Sequence, residues 1–486
     1  MTWSEGYRVH AGHRMLYNPG TGPTYAAHAL RMAGYDPGPL DTCCEIGFGQ
    51  GVALAVHQAA GSQWWGADFM PEQVAHARHL APGAHLTDES IAQFCARTDL
   101  PEFDFVVIHG VWTWVSAANR AAVVDFLTRK LRPGGVLLLS YNTAAGWSSL
   151  LPLRDFLRRW IASCEPSGIG PVAAVERAVA AAQALFAAHS AYALHSPLAP
   201  AMLDRMADEG GTRIVQEWLG EHWELFHFRD LARSLEEAKL GFACQSGRLQ
   251  QAPRLWLSAQ QSRLLDAIGD PVMRESVQDL LTGQRHRRDY WVKGARRMGG
   301  AESALVRQAQ RYVMVTPPEQ VELSPDIPKA GRTMTRDATM PVLEALASGT
   351  PRALSEIERV AGRQGVEPPA VHDALMLLWD AGAVQPAQSD DRAEAARAGC
   401  AALNGRLLAR AGQDTPVPFL ANPVTGGAVA VSPLHQLFLQ AERVGQGQPG
   451  RQAAYAAAAL GQEAEPEAAA AFQTKLRGLL RAQGVA

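Results

Sequence analysis

Leu40-Asp41-Thr42-Cys43-Cys44-Glu45-Ile46-Gly47-Phe48-Gly49-Gln50-Gly51 is the stretch that decides the fold of this chain. Its first seven residues form an apolar run of strand length, and the helix-patterned VALAVHQAA follows directly. Between the two, Gly47, Gly49 and Gly51 let the backbone turn tightly and let a ligand approach main-chain atoms that a side chain would screen. Outward from this loop, apolar runs recur at QWWGADF (63–69), FDFVVIH (103–109) and VLLLSYN (136–142), and a short third strand leads into HLTDES. Strands alternating with helices predict a parallel sheet wrapped by helices. Pro71 opens PEQVAHARHLA, where the first turn tolerates its missing N–H. Ser116 is the expected N-cap of AANRAAVVDFLTRKL, which places Val123, Phe126, Leu127 and Leu131 on one face and is expected to end at PGG, 133–135.

The second strand ends in Asp68, with Phe69 beside it. A carboxylate there accepts hydrogen bonds from both hydroxyls of a ribose, so the ligand reads as a nucleoside. Dinucleotide folds use GxGxxG, with the pyrophosphate on a helix N-terminus; this loop is GxGxG and is preceded by Glu45. That carboxylate would repel a pyrophosphate and suits a ligand bearing an ammonium and a sulfonium, which is S-adenosylmethionine. A tight strand-to-helix connection accounts for the glycines alone. Asp68 and LRPGGVLLLSYN tip the reading toward the cofactor and away from a dehydrogenase.

At 486 residues the chain favours about three folded units. Hydrophobic residues at 47% and charged residues at 19% give it enough apolar material to fold. The balance of 45 Lys+Arg against 48 Asp+Glu supplies no global field for nucleic acid or a membrane surface. Six cysteines without CxxC pairing indicate neither a disulfide framework nor a metal site, and point to a reducing compartment. The N-terminal MTWSEGYRVHAGHRM lacks an apolar signal core, and no apolar run approaches the roughly 20 residues of a membrane span. A cytoplasmic protein is therefore expected. We divide the chain into a cofactor-binding domain (1–150), a mainly helical middle region (151–330), a winged-helix-like domain (331–390) and a C-terminal domain (391–486). TPPEQVELSPDIPKAG (316–331) reads as a linker.

HGVWTWVSAANRAAVVDFLTRKLRPGGVLLLSYNTAAGW (109–147), with the glycine loop, resembles class I S-adenosylmethionine-dependent methyltransferases. More narrowly it resembles the bacterial group that carries a methyltransferase regulatory domain and includes protein-lysine methyltransferases acting on outer-membrane proteins. EWLGEHWELFHFRDLARSLEEAKLGF (217–242) is similar to that regulatory domain, RRDYWVKGARRM (287–298) to the basic stretch after it, and PFLANPVTGGAVAVSPL (418–434) to the group's C-terminal region. The resemblance implies a seven-stranded Rossmann-like α/β domain, S-adenosylmethionine as donor, and a protein amine as acceptor. A homodimer is allowed. It also implies that Asp88 meets the adenine amino group, that His109 and Gly110 border the methionyl part of the cofactor, and that Tyr17, in LYNPGTGPTY, belongs to a segment that lids the pocket.

Methyl transfer needs the acceptor lone pair aligned with the S–CH3 axis and water excluded. A lysine acceptor must also lose a proton, which an aromatic, desolvated pocket favours. Trp112, Trp114 and Tyr141 follow strand ends, where open parallel sheets bind ligands. Trp114 reads equally well as core. His109 serves as a general base or, in the reading preferred here, as a hydrogen-bonded side chain beside the cofactor. Asn142 can orient the acceptor. Cys43 and Cys44 read as small buried hydrophobes. RHRRDYWVKGARR (285–297) is a basic cluster, solvated or facing an acidic partner. Residues 351–388 carry three Arg against five Asp+Glu, the wrong sign for DNA. The competing functions are a small-molecule methyltransferase and a non-catalytic protein that senses S-adenosylmethionine.

Overall fold

Thr42–Ile46 (β1), Gln63–Ala67 (β2), His85–Thr87 (β3), Phe103–Ile108 (β4) and Leu131–Asn142 (β5) are the expected parallel strands. Leu240–Gln245 (β6) and His286–Lys293 (β7) complete a seven-stranded sheet of order β3-β2-β1-β4-β5-β7-β6, in which β7 runs antiparallel to both neighbours. The computed structural model describes residues 17–164, 168–247, 249–294, 296–321, 336–413, 416–461 and 463–486. MTWSEGYRVHAGHRM and positions 322–331 of the linker lie outside the described residues.

Both faces of the sheet are covered, which is why β1, β2, β4 and β5 read as apolar runs. Cys43, Phe105, Val107 and Leu138 point to one face; Cys44, Val106, Ile108 and Leu137 point to the other, as the two-residue repeat of a strand requires. On the second face lies Ala117–Lys130, capped by Ser116, whose hydroxyl accepts the Asn119 N–H. Its Phe126 and Leu127 are fully buried, each contributing roughly 1.5–3 kcal/mol. The helix ends at Lys130, earlier than expected: Leu131 already pairs with Phe103, and a register shift absorbs the PGG segment inside β5.

The region read as mainly helical is helical over much of 151–236, but it also supplies β6 and β7. Between β5 and β6 the chain leaves the sheet for Leu151–Cys164, Pro171–Ala187, Leu198–Glu209 and Gly211–Trp218, which share a separate core of Leu153, Leu157, Val175, Met206 and Trp218. β7 escaped recognition because it is charged. Its Arg287 is wholly buried and pairs with Asp289 at 2.9 Å, Asp279 at 2.8 Å and Glu275 at 2.7 Å. Lys293 donates to the carbonyls of Leu127, Thr128 and Leu131 at 2.7–3.1 Å, closing the end of Ala117–Lys130. Part of the basic cluster therefore turns inward and holds the domain together.

Beyond the sheet, Arg311–Met314 (β8), Arg352–Ala353 (β9) and Val384–Pro386 (β10) form a three-stranded antiparallel sheet with Arg336–Leu346, Leu354–Gly362 and Pro368–Asp380. The hairpin Phe419–Asn422 (β11) and Gly427–Ala430 (β12) and further helices follow. Their apolar residues, among them Trp379, Leu420 and Phe438, share one core with Val107, Leu138 and Tyr290 of the large sheet. Asp390–Leu408 lies so close to Val52–Ala59 that a Cβ on Gly399 would stand 2.5 Å from the Ala59 carbonyl. Among the described residues, no helix is long and apolar enough to cross a membrane.

Candidate active site

The loop between β1 and Val52–Ala59 turns through three left-handed glycines. A Cβ on Gly47 would lie 2.4 Å from Cγ2 of Val111, and one on Gly51 2.4 Å from Cβ of Ala77. No other residue type fits there. The end of β2 delivers Asp68 to this loop: its Oδ2 accepts the Gly49 N–H at 2.8 Å and its Oδ1 accepts the Met70 N–H at 3.0 Å. A carboxylate oxygen accepts more than one hydrogen bond, so both keep capacity for hydroxyl donors. Burial raises the Asp68 pKa to about 6 against the pull of those two amides. Glu45 lies buried next to it, its pKa raised to about 8 by desolvation and then by the Asp68 charge. Among the described residues neither carboxylate is in an ion pair.

A cavity of about 190 Å³ opens over the loop, lined by Gly47, Gly49, Asp68, Phe69, Glu89, Ser90, Ile91, Gly110, Val111, Trp114 and Val115. These residues fit S-adenosylmethionine. The loop offers backbone without side chains, Asp68 offers acceptors suited to a ribose, and two buried carboxylates in no ion pair among the described residues suit a positively charged ligand. Gly110 and Trp114 also line a second cleft, of about 480 Å³, between the C-terminal ends of β4 and β5 and the helical insertion. Its walls are His109, Asn142, Trp147, Met202, Met206, Ile214, Trp218, His286, Arg205, Glu209, Arg213, Glu217 and Arg285.

Trp147 packs edge-on against Trp218 (centroids 5.3 Å apart) and Trp223 (5.6 Å), and Trp223 continues to Trp114 at 6.3 Å. Arg154 stacks over Trp223 at 4.6 Å and anchors to the Gly220 carbonyl. The insertion is thereby fastened to the Trp112–Trp114 turn that follows β4.

Of the expected cofactor residues, Gly47, Gly49, Asp68, Phe69 and Gly110 meet at the first cavity, and Glu45 and Gly51 support it from beneath and beside. Asp88 is exposed and does not line the cavity; Glu89 and Ser90 occupy that position, with Glu89 accepting from Thr87 Oγ1 at 2.8 Å. Tyr17 lies away from both cavities, its hydroxyl accepting the Ala428 N–H of β12 and its ring against Phe419.

His109 lines the second cleft with both ring nitrogens engaged. Nε2 accepts from Asn18 Nδ2 at 2.9 Å, which assigns the proton to Nδ1 and makes it a donor to Ser140 Oγ at 3.0 Å. Burial, with His286 and Arg288 nearby, lowers its pKa to about 3. The same Ser140 oxygen accepts the Gly110 N–H at 2.8 Å, fixing the backbone at the junction of the two cavities.

Asn142 lines the second cleft with its side-chain oxygen 3.3 Å from His286 Nδ1. Trp112 and Tyr141 are not brought to either cavity. Trp112 is buried in the core beneath, against Phe226, and Tyr141 donates to Asp289 at 2.8 Å within the Arg287 cluster. Trp114 is the aromatic residue of this turn that reaches both cavities. Trp147, Trp218 and Met202 were not foreseen as site residues, and Arg285 was read only as part of a basic run, solvated or facing an acidic partner; none of these patterns tells which face borders a cleft.

Comparison with known proteins places residues 44–139 in the family described as "Methyltransferase domain" and residues 212–293 in that described as "Predicted methyltransferase regulatory domain". The second match spans β6, β7 and the end of the insertion. The chain is 27% identical over 460 residues to an uncharacterized protein of Synechocystis sp., covering 92% of this chain and 90% of that one. An uncharacterized protein of Rickettsia prowazekii is 30% identical over 145 residues, 28% of this chain and 58% of that one. Among solved structures, PKMT2 from Rickettsia typhi in complex with AdoHcy superposes with a TM-score of 0.64 at 17% identity, covering 92% of this chain and 91% of that one. The fold is shared along nearly the whole length.

Proposed function

We propose that this chain, a class I S-adenosylmethionine-dependent methyltransferase, transfers its methyl group to the side-chain amine of a protein lysine. The observation that carries the acceptor reading is the second cleft. It meets the cofactor cavity at Gly110 and Trp114, and tryptophan, methionine and isoleucine form its apolar part beside a rim of charged side chains. The likeness in fold to PKMT2, a protein lysine methyltransferase, supports it.

Bound S-adenosylmethionine supplies an electrophilic methyl group on a sulfonium. Gly47, Gly49, Asp68, Phe69 and Gly110 would hold it. The chain's further work is to strip water and a proton from the amine and to aim its lone pair. Trp114, Trp147 and Trp218 exclude water, and a low-dielectric wall disfavours the ammonium form. His109, neutral and tied at both nitrogens, positions Gly110 through Ser140 and does not take the proton. The proton would leave to bulk water at the cleft mouth before the amine is seated against the tryptophans, where the low-dielectric wall favours the neutral form. The side-chain oxygen of Asn142, on the wall of this cleft, would accept an N–H of the amine and orient it. We read residues 331–390 as a winged-helix-like unit that contacts protein, not nucleic acid, given the three Arg against five Asp+Glu over 351–388.

Incubation of the enzyme and a cell lysate with methyl-radiolabelled S-adenosylmethionine tests this. Label recovered as methyllysine after acid hydrolysis of the protein fraction is the expected result. Label confined to small molecules would replace the protein acceptor, and binding of the cofactor with no label transferred would remove the enzyme reading.

A further inference from the structure

The rim of the tryptophan cleft is not electrically balanced. Glu209 accepts from Arg205 at 2.6 Å and from Arg213 at 3.0 Å, and Arg213 also reaches Glu217 at 2.8 Å. These two acids and two arginines cancel. Arg285, exposed on the opposite wall, is in no ion pair among the described residues and leaves one positive charge facing the cleft. Arg288, three residues further along β7 and also exposed, lies near enough to His109 and His286 to lower both of their pKa values. The inward-facing arginine of this strand, Arg287, is consumed by its three buried acids. Arg285 therefore leaves one uncompensated positive charge at the cleft where the acceptor enters, with Arg288 close behind His286.

A cationic rim around an aromatic cleft repels a lysine ammonium unless the acceptor brings compensating negative charge of its own. It also disfavours the protonated amine once the side chain is seated. Resting on the lysine-acceptor reading above, we propose that the target lysine lies in an acidic stretch of polypeptide, whose carboxylates pair with Arg285 at the cleft mouth while Trp147 and Trp218 grip the aliphatic stem. Arg285 is then a specificity-determining residue, acting on the choice of acceptor and not on the cofactor.

The test uses the full-length protein saturated with AdoHcy and three peptides with one central lysine, flanked by glutamates, glutamines or arginines. Binding is read by tryptophan fluorescence, and methylation separately with S-adenosylmethionine. The wild type is expected to favour the glutamate peptide over the glutamine peptide roughly threefold to fivefold at low salt, the preference shrinking as salt rises. Arg285→Gln should remove the preference, Arg285→Lys retain part of it, and Arg285→Glu shift it toward the arginine peptide. AdoHcy affinity should hold in all three variants, which also shows that they fold. Equal binding of all peptides by the wild type, or a glutamate preference that survives Arg285→Glu, overturns the assignment while leaving lysine methylation standing. If AdoHcy binds and no peptide is bound or methylated, the lysine-acceptor reading itself fails and this inference falls with it.

Discussion

Replacing Asp68 by alanine separates cofactor recognition from folding. The carboxylate holds the amides of Gly49 and Met70 and, in the proposed reading, accepts the two hydroxyls of a ribose. Hydrogen bonds to a charged group contribute about 1.5–3 kcal/mol each, so loss of the ribose pair weakens binding by about 3 kcal/mol or more, roughly two orders of magnitude in Kd. Stability responds differently. Burial raises the Asp68 pKa from 3.8 to about 6, which amounts to about 3 kcal/mol of unfavourable desolvation in the free protein at neutral pH. Removing the charge relieves that cost and offsets the loss of the two amide contacts, whose N–H groups face an open cavity where water can replace the carboxylate. Titration calorimetry with AdoHcy and thermal unfolding should therefore show Kd raised about a hundredfold with Tm moved by only a few degrees. A Kd within threefold of wild type would show that the ribose is not on Asp68. A collapse of Tm alongside lost binding would make the residue a structural one.

Gly47→Ala puts a Cβ 2.4 Å from Val111 Cγ2 at a φ of +75°, so AdoHcy affinity should fall at least tenfold with a modest loss of Tm; unchanged affinity would mean that Val111 gives way without cost to the cavity. Arg287→Met strands Glu275, Asp279 and Asp289 without their cation and should destabilise the fold by about 3–5 kcal/mol at pH 7, less at pH 5, below the pKa of about 6 to which burial raises Asp279, as denaturant titration at both values will show. Burial raises the folded pKa of Glu45 to about 8 and that of Asp68 to about 6, above their unfolded values. Their contribution to stability is thus full below the ordinary carboxylate range and is lost as pH rises through about 6 and then about 8. The free protein should melt at lower temperature at pH 8.5 than at pH 5.5, and S-adenosylmethionine binding at pH 7 should release protons, visible as a dependence of calorimetric heat on the buffer; equal heats in all buffers would contradict the raised values.

The five parallel strands and the glycine loop were legible because a strand buried on both faces must be apolar throughout, and because GxGxG after such a run marks a turn whose backbone has to stay bare. Asp68 was legible from its place at the end of β2. β7 was not, since its alternation carries Arg287 and Asp289 inward, where they neutralise each other, and a charged run ordinarily reads as surface. Trp112 and Trp114 could not be told apart in sequence: two residues apart on a turn, one falls into the core and the other reaches the cavities. The cleft beyond them is built from segments more than fifty residues apart, Trp147 against Trp218 and Arg285, and no local pattern announces such a meeting.

The most direct measurement is a crystal structure of the protein with AdoHcy. The account predicts the ribose on Asp68, the amino-acid part over Gly47 and Gly49, and the sulfur turned toward Gly110 and Trp114 at the mouth of the tryptophan cleft. AdoHcy bound elsewhere, or bound with its sulfur facing away from that cleft, would contradict it.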